Sequence, residues 1–116
     1  MLGWEFFVSR RSDSPESPAL ASWRTGLNGT DWLNDLVAKG VVTDLGGDGY
    51  PIRYEVSAGA IMAVLALGLP KHSGPPVIGD DYFLPRGWTG DAKMDFARLR
   101  AIDPGEILVV EAWDQS

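Results

Sequence analysis

At 116 residues, with 45% hydrophobic and 22% charged side chains, the chain has the size and composition of one globular domain. It has no cysteine, which excludes disulfides, thiolate metal sites and cysteine nucleophiles. Sixteen acids against ten bases give a net charge of -6 without a basic cluster in either half, which disfavours nucleic acid as a partner because phosphate contacts supply most of that affinity.

The chain starts at Met1 and reads as a complete single domain, 1–116. MLGWEFFVSRR places its charges after the apolar residues, unlike a secretory leader. The lack of cysteine suits a reducing cytoplasm. Leu2 to Ser9 reads as a strand, with Trp4, Phe6 and Val8 alternating with Glu5, Phe7 and Ser9. Arg10 to Pro18 is polar and reads as a loop. Ser17 as cap, Pro18 at the first helical position and Gly26 beyond the end predict a short helix anchored by Leu20 and Trp23.

Thr30 to Lys39 carries the clearest helical stripe, Trp32, Leu33, Leu36 and Val37, with Thr30 as its cap and Gly40 as its stop. Val41 to Leu45 and Tyr50 to Val56 read as a hairpin turned by Gly46-Gly47-Asp48-Gly49. Ser57 to Leu69 is the one uninterrupted apolar run. Its Ala, Met and Leu content predicts a helix capped by Ser57 and closed by Gly68 and Pro70. Being apolar on every side, it is expected to be buried on every side, as the centre of the core. At ten residues without a polar side chain, Ala58 to Leu67 is about half of what crosses a bilayer, so no membrane is expected.

Periodicity disappears in a long Pro/Gly-rich loop at 70–90. Val77 and Ile78 are expected to pair briefly with a sheet edge. Asp91 to Ala101 reads as a helix on Phe96, Leu99 and Ile102, with a strand as the alternative. Asp103-Pro104-Gly105 is a turn, and Glu106 to Trp113 a central strand. The expected fold is a small α+β domain of order β-α-α-β-β-α-loop-α-β. It has a mostly antiparallel sheet of about four strands packed by three to four short helices, with the first and last strands adjacent.

No catalytic set assembles from spacing. Asp44, Asp48, Gly49 and Glu55 imitate a twelve-residue calcium loop, but Gly46 brings no side-chain oxygen and both flanks read as strands. His72, the only histidine, lies in the Pro/Gly loop without a nucleophile elbow. Glu55, Asp80, Asp81 and Glu111 have no spacing that makes a hydrolytic carboxylate pair. Neither a metal nor a cofactor is expected.

The long loop is richer. Asp80, Asp81, Tyr82, Arg86 and Trp88 lie within nine residues, and Tyr, Trp and Arg are the side chains that most often anchor interfaces. The sequence therefore points to a non-enzymatic protein that binds another protein through these residues, its acids facing a basic surface. A small acidic inhibitor, or an immunity or anti-defence protein of the kind bacteria and phages use, fits the size and charge. The alternative is a small enzyme or ligand-binding domain with a pocket around His72, Asp80 and Asp81.

Overall fold

The computed structural model describes residues 3–12, 17–70, 77–78 and 83–115. Eight strands and three helices follow one another in these segments. β1 (Trp4–Arg10) and β2 (Ala21–Thr25) precede α1 (Asp31–Ala38), β3 (Val42–Gly47), β4 (Ile52–Ser57) and α2 (Ala58–Leu65). Then come β5 (Val77–Ile78), β6 (Phe83–Leu84), β7 (Thr89–Met94), α3 (Phe96–Ala101) and β8 (Ile107–Asp114). Six strands form one sheet in the order β3-β4-β8-β1-β2-β7, every neighbouring pair antiparallel. β5 and β6 form a separate two-stranded ribbon.

The first and last strands of the sheet are neighbours, as expected, in register from Trp4 opposite Asp114 to Arg10 opposite Leu108. The pleat sends alternate side chains to opposite faces. One face carries Phe6, Val8, Ala21, Trp23, Tyr54, Val56, Leu108, Val110 and Ala112, all buried. Trp32 and Leu33 of α1, Ala58, Ile61 and Leu65 of α2 and Leu99 of α3 join them in one core. At its centre Phe6 stacks on Trp23 with centroids 5.3 Å apart, and Trp32 meets Phe6 edge-on at 5.8 Å. The other face carries Glu5, Phe7, Ser9, Arg24, Arg53, Glu55, Val109, Glu111 and Trp113, none of them buried, and no helix among the described residues covers it.

The sheet has six strands, not about four, the helices number three among the described residues, and the expected order of elements is corrected in two places. The stretch read as a helix from Ser17 is strand β2. Ala21, Trp23 and Thr25 are buried while Ser22 and Arg24 are not, a period of two that the Pro18 and Gly26 punctuation concealed. Its hydrogen-bonding partners are β1 on one side and β7 on the other. The stretch read as a helix from Asp91 divides. Thr89–Met94 becomes the edge strand β7, and only Phe96–Ala101 is helical, because Asp95 rather than Asp91 caps it by accepting from the Arg98 N–H at 3.1 Å. Asp91 has a φ of 51°, outside the helical region.

α2 is capped as expected, with Ser57 Oγ accepting from the Ala60 N–H at 3.2 Å. It is not buried all round. Ala58, Ile61 and Leu65 face the sheet, Ala63 and Ala66 are exposed, and Leu67 just beyond is 91% exposed. A two-layer domain has nothing outside its helices, so each can bury only the stripe facing the sheet. α1 follows its predicted stripe, although the Thr30 side chain makes no cap hydrogen bond. No helix among the described residues is long and apolar enough to cross a membrane.

Candidate functional site

The long loop contains regular structure. Val77 pairs with Leu84 and Ile78 with Phe83 across the β5–β6 ribbon. The backbone contacts of this ribbon run mainly between its own two strands rather than to the six-stranded sheet. Ile78 is 75% exposed and Phe83, directly opposite, is 62% exposed. Two large apolar side chains thus form one exposed cross-strand pair, a place where buried area becomes available to a partner. Arg86, three residues beyond Phe83, is also exposed.

Trp88 ties this segment to the sheet. Its carbonyl accepts from the Gly26 N–H at 3.0 Å, and its own N–H donates to the Pro85 carbonyl at 3.1 Å. The indole lies over Gly90, where a Cβ would come within 2.7 Å of the ring, so only glycine allows this approach. Trp88 is half-buried: it is an anchor at the sheet edge with part of its ring still accessible. Of the residues singled out from sequence, Asp80, Asp81, Tyr82 and His72 lie outside the described residues, which leaves Arg86, exposed, and Trp88, half-buried. Ile78, expected at a sheet edge, pairs with Phe83 in the separate ribbon instead, and neither was singled out as a contact residue because two-residue strands carry no periodicity.

The other constellations resolve into local structure. Asp44 Oδ1 accepts from the Gly46 N–H at 2.7 Å and Asp48 Oδ1 from the Tyr50 N–H at 2.9 Å, so both carboxylates serve the hairpin backbone. Glu55 pairs with Arg11 at 3.1 Å and Glu111 with Arg53 at 3.0 Å. Glu55 and Glu111 on the uncovered sheet face therefore each meet an arginine instead of each other. Among the described residues no three His, Cys, Asp or Glu side chains are grouped to hold a metal ion.

A cleft opens on the helical side, between α1 and the chain leaving α2. It is an open depression of about 470 Å³ lined by Trp32, Leu36, Val64, Leu69 and Pro70, with Asp35, Lys39 and Leu67 at its rim. Trp32 is 7% exposed, and its indole Nε1 has no hydrogen-bond acceptor among the described residues.

No family model, no curated protein and no solved structure matches the chain.

Proposed function

We propose that the chain is a non-enzymatic protein that binds another protein, with the segment 77–88 as its contact surface. The observation that carries this reading is the exposed Ile78–Phe83 pair on a ribbon separate from the main sheet. Apolar side chains of this size gain about 1.5–3 kcal/mol each when a partner fully buries them. Arg86, exposed, follows Phe83 by three residues, and the accessible part of Trp88 adds a second aromatic. In sequence, Asp80, Asp81 and Tyr82 join the two strands of the ribbon, and a chain of net charge -6 favours a basic partner surface. A small cytoplasmic inhibitor, or an immunity or anti-defence protein from bacteria or phages, is the type of protein this combination suits.

The test is affinity capture with two baits, the parent chain and the double variant Ile78→Ser with Phe83→Ser. Both positions are exposed, so the variant should melt like the parent. A protein retained by the parent and lost from the variant supports the reading. The same protein retained equally by both baits overturns it.

A further inference from the structure

We propose that the cleft between α1 and the end of α2 binds a monomeric long-chain carboxylic acid, with its hydrocarbon tail in the cleft and its carboxylate at Lys39. The site is distinct from the 77–88 surface and does not depend on it.

Three observations support this. The first is size and lining. About 470 Å³ falls within the range of small-ligand pockets, and six of the nine lining residues are Trp32, Leu36, Val64, Leu67, Leu69 and Pro70. A second apolar depression, of about 360 Å³, shares Gly68 and Leu69 with it and is lined by Leu65, Met94 and Phe96.

The second is the exposure of Leu67. At 91% exposed on the rim, it leaves nearly a whole leucine surface in water beside an apolar wall. A hydrocarbon lying between Leu67 and α1 covers both surfaces together, and each buried methylene contributes about 0.8 kcal/mol.

The third is charge. Lys39 is the one base lining the cleft among the described residues. It stands at the C-cap of α1, four residues after Asp35, yet the two make no ion pair within 4.0 Å, and Lys39 has no other ion pair among the described residues. Its ammonium is therefore available to a carboxylate. Asp35, one turn nearer Trp32, repels an anion and sets the orientation: head at Lys39, tail towards Leu36 and Trp32. Trp32 and Lys39 are seven residues apart, so about 10 Å of helix separates head from floor, a span that an acyl chain covers and a compact anion does not.

The experiment titrates the intact protein with dodecanoate below its micellar concentration, by calorimetry and by tryptophan fluorescence. Dodecyltrimethylammonium serves as the head-group control, and anionic phospholipid vesicles as the membrane control. Saturable one-to-one binding of dodecanoate over the cation is expected. Lys39→Glu, at an exposed position, should weaken it about fivefold or more and shift preference to the cation. Lys39→Arg should retain it, and Leu67→Asp, also exposed, should weaken it without changing the melt. The Ile78→Ser, Phe83→Ser variant should bind dodecanoate like the parent, which separates this site from the protein-binding surface. Absence of saturable binding overturns the proposal. So does binding indifferent to Lys39→Glu or to head-group charge, and so does binding to vesicles but not to the monomer.

Discussion

Tyr54 is 2% exposed on the core face of β4. Burial, and then the nearby Asp44 carboxylate, push its phenol above its ordinary value. The folded state therefore holds this proton more tightly than the unfolded chain does. Stability from this group is fully present below the unfolded pKa, about 10, and is lost as pH rises from there towards the folded value. Tyr54→Phe should flatten the alkaline limb of a denaturation profile taken from pH 8 to 11; an unchanged limb would show that another group controls it. Two further substitutions separate a buried from an exposed position two residues apart, on opposite faces of α2. Ile61→Ala should cost about 2–5 kcal/mol in a urea titration, as a fully buried side chain in the core. Ala63→Asp, which a helix buried on every side would not tolerate, should cost no more than about 1 kcal/mol, mostly helix propensity, because Ala63 is exposed. A cooperative melt lost in the aspartate variant would restore the fully buried helix.

At the level of elements, the β3–β4 hairpin is the sharpest case of one sequence pattern serving two geometries. The Asp44 and Asp48 carboxylates accept from backbone N–H groups within the turn, so their oxygens already have donors. Calcium should leave the thermal midpoint of both the parent and Asp48→Ala where chelator leaves it; a calcium-dependent rise that Asp48→Ala removes would establish a metal loop. The end of β1 is tied to the residue preceding β8 by the paired bonds of Arg10 to Glu106, both 2.7 Å. These side chains are 42% and 29% exposed, so water screens the pair. A double-mutant cycle to alanine should give a coupling of no more than about 1 kcal/mol that shrinks with salt.

Across the whole molecule, the six-stranded sheet divides the protein into a packed side and an uncovered side. All three helices are on the first. The cleft lies on that side and the ribbon stands apart from the sheet, so the two proposed sites are served by different elements. Net charge acts at this scale too. With -6 overall, association with a basic partner should be fastest at low salt. Asp80→Asn with Asp81→Asn should slow association and flatten its salt dependence, measured by surface-binding kinetics once a partner is captured. An unaltered salt slope would place the steering charges elsewhere.

The sequence by itself determined the features that depend on near neighbours in the chain. The period-two pattern of Trp4, Phe6 and Val8, the glycine turn of the hairpin, the stripe of α1 and the Ser57 cap could all be read because their physics acts within a few residues. Arg86 and Trp88 stood out in the sequence only as residue types that often anchor interfaces, and the approach of Trp88 to Gly90 requires β7 to exist. Tertiary structure alone decided that Ala21 to Thr25 is a strand. Five residues with one proline and one glycine nearby fit a short helix equally well, and pairing to β1 and β7 tips the balance. It also decided that α2 is half exposed, because hydrophobicity along a chain states what can be buried, while the number of layers states how much is. Ile78 and Phe83 face each other only through a register that no local pattern encodes.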